Sequence, residues 1–317
     1  MRIALAGGGY LAASLANAVL ESSHEIVAIV QDGRRSQGAR RWILPWVSAV
    51  VQPRGDVRGI AKRKRIPLLY IDKMGEEELA PLRALEPDLI LVGGFGVILK
   101  RPILDLPRIG CVNVHSSLLP KHRGANPFAA VIMAGESETG VTFHVMDEGI
   151  DTGDILEQYT LTVKPHYYAV DIHRKASDLA GDEVASVLDR IQAEGLNGVP
   201  QDSAQASYDQ KPTADDALVD WTQPAEEIER RVRAFFPENV ARFPYGNRLI
   251  YIHRARVEPD AADAADAAPG TVLQIRPRAR IATGRGAIAL TTAYCLEPFP
   301  WVWPGAFTRL KPGAQLG

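Results

Sequence analysis

Near-continuous runs of apolar, largely β-branched residues alternate with helically periodic stretches through the first 165 residues of the chain. Arg2–Ala6 runs into Gly7-Gly8-Gly9, and Tyr10–Leu20 carries apolar residues at helical spacing. Glu25–Val30, Pro67–Ile71, Asp88–Val92 and Cys111–His115 repeat the strand pattern. A strand that is apolar at every position is buried on both faces, and the helices between strands supply the cover. This predicts an α/β fold on an open, mostly parallel, Rossmann-like sheet. Thr139–Met146 and Ile155–Val163 read as further strands joined by a Gly-rich turn, and Tyr168–Glu194 as a long amphipathic helix.

The pattern changes after residue 197. Residues 198–216 carry Pro200, Asp202, Ser203, Ser207 and Pro212 with little apolar periodicity, which predicts a linker or a draped loop. Pro224–Phe235 opens with proline followed by acids, as a helix N-terminus prefers. From Gly246 onward the runs RLIYIHRARV, GTVLQI, ARIAT and AIALTTA are short and separated by turn residues, which predicts a small open β-barrel of OB-like type. The expected division is a first domain over 1–197, a linker over 198–216, and a helix plus barrel over 217–317, as suits 317 residues. Alanine-rich Asp260–Ala268 is expected as an exposed insertion in a barrel turn.

A hydrophobic fraction of 46% and a charged fraction of 23% exclude a disordered chain. A net charge of -2 excludes a globally basic nucleic-acid binder but leaves room for a local basic patch. Cys111 and Cys295 are too few for a disulfide framework or a cysteine zinc site, and no apolar run approaches the roughly 20 residues of a membrane span. MRIALAGGGY enters strand-like sequence at once, so no leader is expected. The expectation is a cytoplasmic protein with reduced thiols, no membrane partner and no metal. The oligomeric state stays open.

Gly7–Ala12 fits G-x-G-x-x-A after a first strand, with Asp32 near the end of the second. In a dinucleotide enzyme these residues would meet a pyrophosphate and a ribose; the run reads more readily as a tight strand-to-helix turn needing small residues. Gly33–Arg65 holds ten basic residues, among them Arg34, Arg35, Arg40 and Arg41, against one acid, Asp56, and also holds Trp42 and Trp46. That asymmetry suits phosphates and bases, or a solvated surface.

The most informative stretch is Cys111–Ile155. Asn113 and His115 lie two apart on a strand and so share a face, at the C-terminal end where open α/β sheets bind ligands. Asp151 lies in the turn-rich acidic run DEGIDTGD after the next strand. An amide, an imidazole and a carboxylate converging at one sheet edge suit acyl transfer. The amide can donate to a developing oxyanion, the imidazole can donate or shuttle a proton, and the carboxylate can orient the imidazole or accept a proton. The acidic run fails the EF-hand pattern, and His115 and His122 lack zinc-ligand spacing.

The run N-V-H-S-S-L-L-P-K-H-R-G-A-N-P from Asn113, followed by E-T-G-V-T-F-H-V-M-D-E-G-I-D-T-G-D-I-L, closely resembles the folate-dependent formyltransferases. That family includes methionyl-tRNA, amino-sugar and glycinamide ribonucleotide formyltransferases. The resemblance implies that Asn113, His115 and Asp151 are the catalytic trio of a one-carbon transfer, and that the donor is 10-formyltetrahydrofolate. It implies that Phe95, Gly96, Val97, Ile98 and Leu99, with Asp147, Glu148 and Gly149, line the folate pocket. On the acceptor side it implies Gly9, Ser116, Arg123, His144, Arg40 and Arg41, with Gly7–Gly9 a tight turn near the cleft. It continues more weakly through Val219-Asp220-Trp221, Pro224–Ala234 and the ending LKPGAQLG, which looks like the tRNA enzymes, whose C-terminal domain is a small open barrel.

Departures bear on the acceptor. Gly8-Gly9-Tyr10-Leu11 and Gly124–Ala129 differ from the runs usual in the tRNA enzymes, and so does Phe236–Ala241 after the helix. His144 matches a histidine common in the amino-sugar and glycinamide ribonucleotide enzymes, where the tRNA enzymes commonly carry an apolar residue. Length, a full second domain and the basic Gly33–Arg41 loop favour initiator methionyl-tRNA as the first expectation. A balance of 14 basic to 12 acidic residues over Lys211–Gly317 is thin for gripping RNA. A nucleotide-linked amino sugar or other small amine, hydrolysis of the formylfolate, and a binding module without catalysis are the alternatives.

Overall fold

β1 (Arg2–Gly7) is buried from Ile3 onward and pairs parallel on one side with β2 (Glu25–Asp32) and on the other with β4 (Leu89–Gly93). β3 (Leu68–Ile71) extends the sheet beyond β2, and β5 (Gly110–His115) extends it beyond β4, both parallel. This central position explains why Ile3, Leu5, Ile29, Leu89 and Ile90 carry no exposed surface: each faces covering elements on one side or the other. β7 (Glu138–Val145) then adds antiparallel to β5, and β8 (Ile155–Thr162) antiparallel to β7, giving the order β3-β2-β1-β4-β5-β7-β8. β8 is polar at alternate positions, as befits an edge strand with one wet face. The mostly parallel sheet expected from the sequence is present. β7 runs against its neighbours, and β8 runs against β7, to which a helix-free loop over 146–154 joins it.

The computed structural model describes residues 1–35, 43–45, 47, 55–259, 261–295 and 310–316. The described residues divide into two compact units, one of Met1–Pro127, Glu138–Val163 and Ile172–Asp209, the other of Phe128–Ser137, Lys164–Asp171 and Gln210–Gly317. In the first unit, β1 turns directly into α1 (Gly9–Glu21), with Gly8 as N-cap and Gly9 in the left-handed region at φ 68°. Gly7 pairs with Gly93, and a Cβ on Gly7 would run into the Gly93 carbonyl. The glycine run is thus a tight turn at a close strand approach. Asp32, which the dinucleotide pattern would aim at a ribose, instead accepts from the backbone and guanidinium of Arg34. α2 (Val57–Lys64), α3 (Glu76–Arg83), α4 (Arg101–Leu104), α5 (Pro127–Ala134) and α6 (Ala169–Glu194) follow along the chain.

Residues 198–209 belong to the first unit. There a two-residue strand, β9 (Tyr208–Asp209), pairs parallel with β6 (Arg123–Gly124). In the second unit, α7 (Ala225–Phe235) starts one residue after Pro224, and a five-stranded antiparallel sheet takes the order β10-β11-β14-β13-β12. Its strands are β10 (Arg242–Tyr245), β11 (Arg248–Glu258), β12 (Val272–Gln274), β13 (Ala279–Ala282) and β14 (Ala287–Cys295). Register shifts at Arg254 bend β11 against β14, the curvature an open half-barrel needs. Ile228 and Val232 of α7 bury against Ile250, Ile252, Ile281 and Ile288, with Trp221 edge-on to Phe243 at 5.2 Å. The alanine-rich run lies between β11 and β12 and is mostly exposed, as expected, but it is anchored at one point. Ala262–Ala265 forms a short helix, α8, Ala264 is buried with Ala282 and Ala287, and Asp263 pairs with Arg280 at 2.7 Å. Alanine side chains are small enough to lie flat on the sheet.

Among the described residues, no helix is long and apolar enough to cross a membrane. Arg40, Arg41, Trp42 and Trp46 lie outside the described residues.

Candidate active site

The antiparallel pairing of β5 with β7 sets Asn113 opposite His144 and His115 opposite Thr142. Cross-strand partners bring their side chains close, and Asn113 Nδ2 lies 3.1 Å from His144 Nε2. His144 Nδ1 lies 2.9 Å from the Val145 carbonyl, which holds a proton on Nδ1 and leaves Nε2 as the acceptor from Asn113. The second N–H of the Asn113 amide donates to Asp151 Oδ1 at 3.2 Å. His115 Nε2 lies 2.8 Å from the His122 carbonyl, so its neutral form carries the proton there. That leaves Nδ1 bare, 3.6 Å from Asp151 Oδ2. Asp151 therefore stands at the centre of the group, accepting the Gly124 backbone N–H at 2.9 Å as well.

The electrostatics follow from burial and partners. Burial pushes the Asp151 carboxyl up, but in acid, with the rings protonated, a hydrogen bond from His144, the charge of His115 and the Gly124 N–H together outweigh it and hold the group down at about 2. Burial lowers the His115 imidazole below its ordinary value, against the opposing pull of Asp151 and the His122 carbonyl. At neutral pH the site thus pairs a firmly ionised carboxylate with a neutral imidazole whose bare nitrogen faces it. A proton arriving on Nδ1 would face Asp151 Oδ2, while the proton on Nε2 stays with the His122 carbonyl. Asp151 adopts a left-handed backbone at φ 54°, as does His122 at φ 57°.

The two segments expected around a folate follow β4 and β7, the strands on either side of β5. Phe95–Leu99 follows β4: Phe95 packs on the apolar core below, Leu99 is buried, and Ile98 is 62% exposed. The Gly96 carbonyl accepts from Arg34 Nη2. In the acidic loop, Asp147 Oδ1 accepts from the Gly149 N–H and the Thr152 hydroxyl, closing a tight turn that leaves Ile150 50% exposed. Arg101 pairs with Glu148 at 3.5 Å, joining the residues after the first segment to the second loop. Two exposed apolar side chains beside strand ends suit a flat, partly apolar ligand.

On the acceptor side, Ser116 is buried next to His115 and Gly9 opens α1. Arg123 is 3% exposed; Nε and Nη2 donate to Gln201 Oε1, and Nη1 donates to the Tyr208 hydroxyl. His144 is 2% exposed, with both ring nitrogens engaged inside the protein. The sequence reading did not single out Gln201, Ser207 and Asp209, which contact these loops. No periodicity marks them; the only hint was that a polar stretch can drape over a domain.

The formyl transferase family model matches residues 1–188, and the model of that family's C-terminal domain matches residues 211–294. The chain belongs to the formyl transferase family. It is accordingly a formyl-group transferase, and of the trio that the resemblance implies, Asn113 and His115 each contact Asp151. The methionyl-tRNA formyltransferase of Ectopseudomonas mendocina is 34% identical over 323 residues, covering 100% of this chain and 98% of that one. Among solved structures, the fold matches the N-formyltransferase of Helicobacter canadensis in complex with folinic acid and dTDP-3-aminofucose. The TM-score is 0.69 at 18% identity, over 92% of this chain and 99% of that one. It also matches methionyl-tRNA formyltransferase from Clostridium thermocellum, with a TM-score of 0.56 at 18% identity, over 82% of this chain and 95% of that one.

Proposed function

We propose that this chain, a cytoplasmic enzyme, transfers the formyl group of 10-formyltetrahydrofolate to the amine of initiator methionyl-tRNA, with Asn113, His115 and Asp151 as its catalytic residues. The end-to-end likeness to a methionyl-tRNA formyltransferase carries the choice of acceptor. In this reading residues 1–197 are the catalytic domain, 198–216 connect, and 217–317 are a separate C-terminal domain. Phe95–Leu99 and Asp147–Gly149 flank the folate. Gly9, Ser116, Arg123, His144, Arg40 and Arg41 border the acceptor.

The neutral acceptor amine attacks the formyl carbon of the donor; the bond from that carbon to the folate N10 then breaks, N10 takes up the proton given up by the amine, and tetrahydrofolate leaves. Asn113 donates to the oxygen on which charge develops. Its N–H groups are already bonded to His144 and Asp151, so one bond must be exchanged. Asp151 releases it naturally: as the carboxylate takes up the amine's proton, directly or through His115 Nδ1, it becomes a weaker acceptor. His144 keeps its own bond and holds the amide plane in place. His115, protonated on Nδ1, would be stabilised by the Asp151 carboxylate on one side and the His122 carbonyl on the other.

The test is formyl transfer from 10-formyltetrahydrofolate to charged initiator tRNA, run beside a panel of nucleotide-linked amino sugars and a no-acceptor control. Formylmethionyl-tRNA is the expected product. Transfer to a sugar alone, or deformylation without any acceptor, overturns the reading.

A further inference from the structure

We propose that Gln201–Asp209 is a positioning strap for the catalytic centre, with Gln201 and Asp209 as positioning residues; this rests on the formyl-transfer reading above. Two observations carry it together. The residues whose backbones set the catalytic geometry, Asp151 and His122, both adopt the left-handed conformation. That conformation is uncommon outside glycine, and Asp and His are among the residues that enter it most readily, so what holds each of them there bears on the geometry of the site. Both are gripped by the same nine-residue segment.

One end of the segment holds Asp151. Gln201 Nε2 donates to the Asp151 carbonyl at 2.9 Å and to the Gly153 carbonyl at 2.7 Å, bridging the turn that carries the carboxylate. Gln201 Oε1 accepts from Arg123, which ties this bridge to the loop after β5. The other end holds His122. Its N–H donates to Ser207 Oγ at 2.8 Å, and its Nδ1 lies 2.7 Å from Asp209 Oδ2. The neighbouring Arg123 N–H donates to the Ser207 carbonyl at 2.9 Å, and β6 pairs with β9. Each grip ends on a catalytic group. The His122 carbonyl receives His115 Nε2, and Gly124, in the same short strand as Arg123, donates to Asp151 Oδ2.

The segment is built as a tie rather than as core. Ser203, Ala204 and Gln205 are exposed and Tyr208 is 60% exposed. Breaking the strap removes little buried apolar surface, so it acts on the geometry of Asp151 and His115 more than on folding. The strap also falls between the stretches matched by the two family models, 1–188 and 211–294.

The experiment compares Gln201→Glu, Asp209→Ala and Asp209→Asn with the wild-type protein. Gln201→Glu keeps the acceptor for Arg123 but removes the donor that holds Asp151 and Gly153. Asp209→Asn can still accept from His122 Nδ1–H, whereas alanine cannot. Gln201→Glu and Asp209→Ala should lower kcat about 10- to 100-fold, the scale of a roughly 1 Å misplacement. KM for donor and acceptor should stay within about threefold and Tm within a few degrees, and Asp209→Asn should recover most of the rate. The Gly124 amide should exchange with solvent faster in Gln201→Glu than in wild type. A rate above half of wild type with unchanged Gly124 exchange overturns the proposal. So does a loss confined to KM, a loss matching the unfolded fraction, or an asparagine variant no better than alanine. If wild type transfers no formyl group, the functional reading fails, and the Gly124 exchange comparison alone still decides the strap.

Discussion

Gly124 donates its backbone N–H to Asp151 Oδ2 at 2.9 Å. It does so from a backbone at φ 112°, with the Asp209 carbonyl so near that a Cβ would collide with it. The loop after β5 and the acidic loop are thereby joined through an atom that only glycine can bring so close. Gly124→Ala should lower kcat at least 10-fold while the protein stays folded by circular dichroism. Wild-type turnover in that variant would show that the contact is dispensable.

Asn113→Ala should lower kcat roughly 100- to 1,000-fold with little change in folate affinity, the usual effect of deleting an oxyanion donor. His144→Ala should act through the same amide and cost less, about 10-fold in kcat, because Asp151 still holds the other N–H. Steady-state kinetics with both substrates separates the two cases. A His144→Ala defect confined to acceptor KM would instead place that side chain against the acceptor.

Much of this was legible in the sequence because it rests on repetition. Strands buried on both faces leave unbroken apolar runs, so β1, β2, β4 and β5 were visible. Spacing of two on one strand put Asn113 and His115 on one face. The bond between His144 and Asn113 was not legible, because it depends on the antiparallel register of β5 with β7, which no local pattern encodes. Nor was the role of residues 201–209: a polar strap is held by single hydrogen bonds to distant loops and has no period to detect. The alanine run is mostly exposed, as low complexity suggests, but the single anchor of Ala264 on the sheet leaves no signal in so uniform a stretch.

Asp151→Asn should lower kcat at least 100-fold and also move the pH dependence. The wild-type acid limb should fall below 6.5, since burial lowers His115 from that ordinary value. Removing the Asp151 charge removes the attraction that raises His115, so the limb of the variant should move further to the acid side. The carboxyl itself is depressed from 3.8 to about 2, so its stabilisation is complete above 3.8 and is lost as pH falls toward 2. That contribution is roughly 2 kcal/mol, and the variant's stability should vary less across this window in acid-titrated urea unfolding. An unchanged rate profile and an unchanged acid slope together would leave Asp151 as a loop residue only.

Within the basic stretch after β2, Arg34 and the pair Arg40 and Arg41 carry different predictions. Arg34 is engaged: its guanidinium pairs with Asp32 at 2.9 Å and also donates to the Gly96 carbonyl, beside the segment expected to flank the folate. Arg40 and Arg41 are the side chains expected to meet an RNA acceptor. Phosphate contacts release counterions, so each contributes about 0.7–0.9 to the log–log dependence of affinity on salt. Replacing Arg40 and Arg41 with alanine should therefore raise KM for charged initiator tRNA and flatten its salt dependence by roughly 1.4–1.8 in slope, with KM for the folate unchanged. Arg34→Ala should do the opposite, raising KM for the folate by loosening Gly96 while leaving the salt slope for tRNA alone. The three variants measured across a salt series decide between the roles. A salt-independent KM for tRNA in the wild-type enzyme would remove Arg40 and Arg41 from the acceptor site.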